Sequence, residues 1–292
     1  KNINLVGGSL SANDKIGGLA GLVYEATVTN CHSSVNITGG GTAGGLIGWS
    51  QLSTITSCSA TGTVWGWSNL GGLIGYSWHD TLVSNCYATG LVSAASTAGG
   101  LIGIIEESVV KMCYATGNVR SYSSSISNDR FGGFTGYVMG LNGMALIENS
   151  YALGNVSCTV SGDYIYSSMM GGFVGYNYQT PVVNCYSKGS AVGNGFVGGF
   201  SGRIITGGTY ASTGCFWDTQ TSGLSSSADG TGKTTAQMKT QSTFTGWDFS
   251  TPVWEIVSGA AYPFLSWQYS VNLTVNSNPS QGGSVTGAGQ FP

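Results

Sequence analysis

The sequence is short of charge. Only 7% of its 292 residues are Asp, Glu, Lys or Arg, against about 25% in an average soluble protein. Nine basic residues scattered through a chain of net charge -3 cannot build the stripe that tracks a phosphate backbone, so nucleic acid is excluded as a partner. No apolar run approaches the ~18 residues that a spanning helix requires, so no membrane span is expected. Prolines number five and no Gly-X-Y period occurs, which excludes collagen. The chain opens at Lys1 with neither a methionine nor the basic-then-apolar pattern of a signal peptide, so such a peptide is expected to be absent or already removed. What the chain does have is 49 glycines and 41% apolar residues. That apolar fraction is enough to build a core, which argues against disorder. Low charge with abundant Ser, Thr, Gly and Tyr points to an extracellular or cell-surface setting.

Self-similarity dominates the sequence. A Gly-Gly pair followed by an apolar residue recurs at Gly17, Gly44, Gly71, Gly99, Gly132, Gly171 and Gly198, with spacings of 27, 27, 28, 33, 39 and 27. A second marker follows each pair, as Asn30-Cys31, Ser57-Cys58, Asn85-Cys86, Met112-Cys113, Asn149-Ser150, Asn184-Cys185 and Gly214-Cys215. Each unit holds two strand-like runs, one at the Gly-Gly-Leu-Ile-Gly segment and one over 54–64 in the cleanest copy, separated by turn residues. No 3.6-residue period appears. A unit of about 27 residues with two or three short strands is one coil of a parallel β-helix, and coils stack at about 4.8 Å. The fold class predicted is therefore all-β: a right-handed parallel β-helix, or β-solenoid, of about seven coils, the hand following from the crossover rule.

Comparison of the copies predicts side-chain direction. The residue after Gly-Gly is Leu19, Leu46, Leu73, Leu101, Phe134, Phe173 or Phe200, always large and apolar, so this set is expected to form one inward file. The next residue, Ala20, Ile47, Ile74, Ile102, Thr135, Val174 or Ser201, is mixed and is expected by strand alternation to face out or to be half covered. In the marker run, Cys58, Ala60, Gly62 and Val64 share the small, apolar parity that faces inward, leaving Tyr87 and Thr89 outside in the next copy.

These segments resemble the GLUG motif, named for its Gly-Leu-hydrophobic-Gly core: Gly45-Leu46-Ile47-Gly48, Gly72-Leu73-Ile74-Gly75 and Gly100-Leu101-Ile102-Gly103, drifting to Gly133-Phe134-Thr135-Gly136 and Gly172-Phe173-Val174-Gly175. The resemblance covers roughly 1–215. It implies a place in bacterial or archaeal surface proteins, including adhesins, and a scaffold or binding role without catalytic residues. A segment over 216–268 carrying Phe216-Trp217-Asp218 resembles the piece that follows the last copy in such proteins. It is read as a cap, with Trp217, Trp247, Trp254 and Trp267 plugging the column's end and a short helix over 234–240 capped by Thr234 or Thr235. The tail, 269–292, resembles the first hairpin of a Listeria–Bacteroides (internalin-type) repeat. Lys1 to Leu10 are read as part of an earlier coil, so the chain is expected to begin in mid-coil and stop in mid-module. Either it is a piece of a longer chain or its ends are completed by neighbouring copies, head to tail, through open strand edges.

Several motifs are weighed as sites. Cys31, Cys58, Cys86, Cys113, Cys185 and Cys215 form a ladder, with Cys158 off register. They are read as buried thiol fillers, the rival being disulfides between adjacent coils, Cys31–Cys58 and Cys86–Cys113. Zinc is excluded because the ladder is linear and neither His32 nor His79 shares its parity. Asp80 and Glu107, 27 apart, fall on adjacent coils at about the separation of a retaining glycosidase pair, but with no second acidic cluster they read as solvated turn residues, and no enzyme, metal or cofactor is expected. Trp78 beside them keeps glycan stacking open. Outward Thr61, Thr89 and Thr116 read as ordinary strand residues, and Gly232-Lys233-Thr234 lacks the first glycine of a phosphate loop. Sequons stand at Asn36, Asn155 and Asn272. Two longer loops leave one corner of consecutive coils and hold Arg120, Tyr122, Asp129, Arg130, Asp163, Tyr164 and Tyr166. Insertions on one face often mark the binding face, so these residues are the candidate interface, for a second copy or for a surface glycan or host ligand, with neutral loop variation as the alternative. The expected function is an extracellular structural or adhesive module, able to join end to end as a fibre, with a carbohydrate-active or glycan-binding solenoid as the alternative.

Overall fold

A computed structural model of the chain describes residues 1–122, 129–140, 145–158, 168–205 and 210–269. They form a parallel β-helix whose strands repeat in a fixed order around five sheets. Taking the coil that starts at the second marker, the first sheet receives Ser59–Ala60, the second Val64–Gly66, the third Leu70–Gly71, the fourth Ile74–Trp78 and the fifth Leu82–Ser84. The second, third and fourth sheets each hold seven strands, so there are seven coils. All pairing between coils is parallel and in register, as in Ile74 opposite Ile47 below and Ile102 above. Asn4–Leu5 and Ser9–Ala12 lie in the first and second sheets below the second coil, where the sequence places the opening residues.

The expected inward file exists. Leu46, Leu73, Leu101, Phe134, Phe173 and Phe200 are all buried at 0 or 1% exposure. Their backbones are linked coil to coil, Leu46 N donating to Leu73 O at 3.0 Å and Leu73 N to Leu101 O at 2.8 Å. Higher up the rings stack, Phe134 on Phe173 at 4.6 Å and Phe173 on Phe200 at 4.9 Å. Each such side chain, fully removed from water, contributes about 1.5–3 kcal/mol.

The neighbouring position corrects the alternation argument. Ile47, Ile74, Ile102, Thr135, Val174 and Ser201 are buried as well, because the chain bends at Gly45-Leu46 and its counterparts before the fourth-sheet strand begins. Two residues on either side of a bend can point the same way, and a period of two holds only within one straight strand. The run over 54–64 is likewise three short strands, Thr54–Thr56, Ser59–Ala60 and Val64–Gly66, divided by corners. Its inward set, Cys58, Ala60 and Val64, is buried as expected.

The glycines of the motif allow backbones to touch. A Cβ on Gly71 would lie 1.9 Å from Ile74 O, and one on Gly72 would lie 2.1 Å from Gly100 O and 2.8 Å from the Ala88 methyl. A Cβ on Gly75 would meet Gly48 O at 2.7 Å and Ala43 N at 2.8 Å, on the third sheet. The coil is thus pinched where the third and fourth sheets meet. The interior divides into a larger lobe between the first, fourth and fifth sheets, and a smaller lobe, with Ile37, Val64, Leu70, Val92 and Phe131, between the second and third.

Two corners of each coil are left-handed. One precedes the marker cysteine: Asn30, Ser57, Asn85, Met112, Asn149 and Asn184 have φ between 47 and 54°, and Gly214 has 63°. The other follows the fourth sheet at Glu25, Leu52, His79, Asp80, Glu107 and Gln179, with φ of 44–53°. Such conformations strain an L-residue by roughly 1–3 kcal/mol. They persist because the residue after each corner knits the coils together. The Cys58 thiol donates to Thr56 O at 3.2 Å and its sulfur accepts from Cys31 N at 3.4 Å. Cys86 repeats this with Ser84 O at 3.1 Å and Cys58 N at 3.3 Å. Ser150 takes the same place in the fifth coil, donating to Glu148 O at 2.8 Å and accepting from Cys113 N at 3.1 Å. At the opposite corner Ser53 donates to Gln51 O at 2.6 Å and accepts from Ala26 N at 3.1 Å.

All seven cysteines are buried free thiols. Hydrogen bonding to Cys86, with burial, pushes the Cys58 thiol far up, and burial does the same to Cys86 and Cys185. Cys158, in the small lobe, is pushed up by burial to about 11. Beyond filling space, the ladder carries hydrogen bonds between coils.

The C-terminal segment corrects the plug reading. Trp217 does roof the larger lobe, lying against Gly199, and Phe216–Asp218 and Thr231–Lys233 extend the first sheet above the seventh coil. Trp247, Trp254 and Trp267 instead turn back down the outside of the column. They lie on a file of stacked tyrosines, Tyr87, Tyr114, Tyr151 and Tyr186, whose rings are 4.9–5.1 Å apart. The tyrosine file gives these three indoles a face of rings to lie on, while Trp217 already packs against the core of the larger lobe. Each indole N–H meets a left-handed corner: Trp267 donates to Met112 O at 3.0 Å, Trp254 to Asn149 Oδ1 at 3.2 Å and Trp247 to Gly214 O at 2.9 Å. The Tyr186 hydroxyl donates to Pro263 O at 2.7 Å. The short helix is Thr235–Met238, with Thr234 at its N-cap and Gln237 closing a capping box. The tail from 270 onward lies outside the described residues.

Candidate functional site

The returning segment covers the first sheet's flank from Tyr87 to Tyr186, which leaves open the outer faces of the other sheets, their corners, and the lowest part of the first sheet around His32, Ser59 and Thr61. The insertion corner lies between the second and third sheets, where Val119–Ser121 is followed by Arg130–Gly132 and Val156–Cys158 by Met169–Gly171. Of the seven interface candidates, Asp163, Tyr164 and Tyr166 fall outside the described residues. Arg120 is exposed and its Nε donates to Ser93 Oγ at 3.2 Å. Tyr122 stacks on Trp65 at 5.0 Å and donates to Gly66 O at 2.9 Å. Trp67, 65% exposed, extends this aromatic patch. Asp129 and Arg130 part company with the corner. Asp129 is buried, and burial pushes its carboxyl up to about 6 against the opposing effects of Ser96 and Arg130. Arg130 turns to the fourth sheet.

The fourth sheet is the broadest, with five-residue strands throughout. Its outward positions form two files. One reads Leu22, Trp49, Tyr76, Ile104, Tyr137, Tyr176, Arg203; the other reads Tyr24, Gln51, Trp78, Glu106, Met139, Tyr178, Ile205. Trp49 lies 4.5 Å from Tyr76, and Tyr137 stacks on Tyr176 at 5.3 Å. Cations settle by these rings, Lys15 over Trp49 at 4.9 Å, Arg130 over Tyr137 at 4.3 Å and Arg203 by Tyr176 at 5.7 Å, and Arg203 also lies over Phe196 of the third sheet at 5.0 Å. The Tyr76 hydroxyl donates to the Glu106 carboxylate; burial first, then Glu106, holds it above the ordinary phenol range. Sequence reasoning singled out Trp78 but passed over Tyr137, Tyr176, Tyr178 and Arg203. The signal was present, since the residue after the last motif glycine is aromatic at Trp49, Tyr76, Tyr137 and Tyr176.

Asp80 and Glu107 do meet on adjacent coils at the left-handed corner, with Asp80 N donating to Glu107 O at 2.9 Å. The Glu107 side chain pairs with His79 Nδ1 at 2.7 Å, while Asp80 is exposed. Among the described residues no three His, Cys, Asp or Glu side chains cluster as a metal site. Thr61 and Thr89 are exposed. Asn36 and Asn155 are exposed and their Oδ1 atoms accept from Thr63 N and Ser190 N, both at 2.9 Å. Asn272 lies outside the described residues.

Comparison with known proteins bears on this column. Four repeats of the GLUG motif are found, at 13–38, 39–64, 68–93 and 94–120. They coincide with coils whose later counterparts the structure continues to the seventh. The chain is also similar to a protein of Evansella cellulosilytica described as a Gly-rich membrane protein, 37% identical over 124 residues, 40% of this chain and 13% of that protein's length. The motif and the relative point to a surface or structural role. Among the described residues no helix is long and apolar enough to cross a membrane.

Proposed function

We propose that this chain is a non-catalytic, extracellular structural and adhesive module: a rigid column that displays its broad fourth sheet sideways from a larger surface protein. The observation that carries the reading is how far the polar groups are committed to the fold. The corner thiols and hydroxyls bond coil to coil, Glu107 is held by His79 and Glu106 by Tyr76. Asp218 accepts from Gln220 N, Thr221 N, Thr235 Oγ1 and the Tyr262 hydroxyl at 2.6–3.1 Å. Repetition of this kind builds extended surfaces rather than one enclosed site. The similarity to a small fraction of a much longer protein supports a module within a larger architecture.

The test has two arms. Protease shaving and antibody labelling of intact source cells should detect the repeats at the surface, and removing them should reduce attachment to a solid support. Purified protein should release no sugar from mixed polysaccharides, and turnover that disappears in Asp80→Asn or Glu107→Gln would establish the enzymatic alternative. End-to-end fibre formation is a second reading, favoured by the lowest coil, where Val6 is 80% exposed and Leu10, in register with the buried Ile37, 44%. The opposite pole is closed by Trp217, so a fibre requires that closure to open. Light scattering across a concentration series, repeated with Val6→Lys, separates a growing filament from a monomer.

A further inference from the structure

We propose that the upper half of the fourth sheet binds an acidic polysaccharide, its anionic groups on Arg130 and Arg203 and its sugar faces on neighbouring aromatic rings. This deepens the adhesive reading and rests on it.

The argument begins with charge. In coils five to seven this face carries Arg130 and Arg203 among Tyr137, Tyr176, Tyr178 and Phe196. The ion pairs among the described residues are Lys15–Asp14 and His79–Glu107, so neither arginine has a carboxylate partner there. Asp129 precedes Arg130 in the chain but is buried beneath the face. Glu106 stands one coil below Met139 on this sheet, bonded to Tyr76, and Asp129 interacts with Arg130 from its buried position; the two arginines, in direct ion pairs with neither, keep hydrogen-bonding capacity for an outside anion.

Geometry narrows the class. Arg130 lies 4.3 Å over Tyr137 and 5.6 Å from Tyr176, and Arg203 lies 5.7 Å from Tyr176 and 5.0 Å over Phe196. A guanidinium lying against a ring is fixed in orientation; the Arg130 Nε is itself buried, which leaves its terminal nitrogens to meet a carboxylate or sulfate. A compact phosphate would need these donors to converge on one point. Here they are strung along the column, separated by coils that rise about 4.8 Å each. Tyr178 projects beside them, edge-on to Tyr176 at 6.4 Å, and Phe196 is 44% exposed. Cations in a line beside exposed ring surface suit a ligand that alternates anionic groups with flat apolar faces. An extended acid-bearing glycan does this, whereas an acidic peptide offers the charge without the flat faces.

The test uses the whole chain on immobilised polygalacturonate, with dextran, poly-glutamate and anionic phospholipid vesicles as comparisons. Retention on polygalacturonate is expected at low salt and release as salt rises, with no retention on dextran. The double variant Arg130→Gln/Arg203→Gln should lose about tenfold in affinity, as for two charge-assisted contacts. Tyr178→Ala should weaken binding while leaving its salt dependence in place. Arg120→Gln, on the other face, should bind as the wild type does. Should Arg130→Gln disturb folding by circular dichroism, Arg203→Gln alone serves with the same direction of effect. Equal retention on poly-glutamate or vesicles, indifference to the arginine variants, or no retention at low salt each overturns the proposal. If surface labelling succeeds while retention fails, the ligand class is wrong and the surface module stands; if labelling fails, the broader reading falls.

Discussion

Replacing Cys86 separates two explanations of the cysteine ladder. If the thiols only fill space, alanine and serine should both be tolerated, and alanine better because it buries no hydroxyl. The structure predicts the reverse. Cys86 Sγ accepts from Cys58 N at 3.3 Å and donates to Ser84 O at 3.1 Å in a fully buried corner. Cys86→Ala leaves the Cys58 N–H without an acceptor, which costs about 1–3 kcal/mol, and opens a void of about methyl size, worth about 1 kcal/mol more. Cys86→Ser keeps both bonds, as Ser150 does in the fifth coil, and should cost less than about 1 kcal/mol. Taking an unfolding entropy of ~2.1 cal/mol/K per residue for cooperative loss of the whole chain, the alanine variant should melt about 3–7 °C below the wild type. Thermal and urea unfolding followed by far-ultraviolet circular dichroism provides the comparison. Alanine and serine variants of equal stability, within about 0.5 kcal/mol, would falsify the hydrogen-bonding role and return the ladder to simple packing.

Gly71→Ala should prevent the column from forming, since its Cβ would sit 1.9 Å from Ile74 O and both atoms belong to backbone locked in register; soluble yield and β-sheet dichroism report this, and a folded variant would show that the pinch can widen. Asp218 is raised by burial but lowered more by its four hydrogen bonds, so its folded pKa is depressed. Its contribution is therefore present above the ordinary Asp value of ~3.9 and lost as pH falls through the lower folded value; Asp218→Asn should make the 216–268 segment sensitive to protease even at neutral pH, and wild-type-like resistance would contradict the assignment. Asp129 behaves oppositely, because burial raises it to about 6: the native state holds the proton longer than the unfolded one, so stability from this group declines as pH rises from about 4 through 6. Urea midpoints at pH 5 and 7.5 should show that decline, and Asp129→Asn should flatten it. Trp254→Ala should free the flank of the tyrosine file, with loss of the Asn149 contact and a rise in tryptophan quenching by acrylamide; unchanged quenching would place the segment's hold elsewhere.

The column was legible in the sequence because stacking in register makes the period itself a contact map. Leu46, Leu73 and Leu101 recur at one coil's length, and recurrence alone brings them together. The corners were legible only in part. Asn30, Asn85 and Asn184 fit a left-handed position, but Leu52, Glu25 and Met112 adopt it too with no chemical cue, held by the coils above and below. The bend at Gly45-Leu46 was missed because alternation was carried through a break that only the packing of Gly72 against Gly100 and Ala88 explains. The path of Trp247, Trp254 and Trp267 was hidden for a different reason. It depends on the match between three indoles and a tyrosine flank remote in sequence, with Trp267 lying on Tyr87 and Tyr114 and bonded to Met112, 155 residues away, which no local pattern encodes. Of the candidate site, Arg130 was named for its loop, yet it acts with Tyr137 on the next sheet. That pairing follows from where the third sheet folds against the fourth.

The returning segment has a mechanical consequence. A solenoid pulled by its last coil ordinarily peels one turn at a time, breaking few hydrogen bonds at each step. Here the chain doubles back, and Trp267 is anchored at Met112, three coils below the Trp247 anchor at Gly214. Tension arriving through Trp267 is delivered to the waist of the column and shared in shear by the rungs between the two anchors, instead of falling first on the last coil.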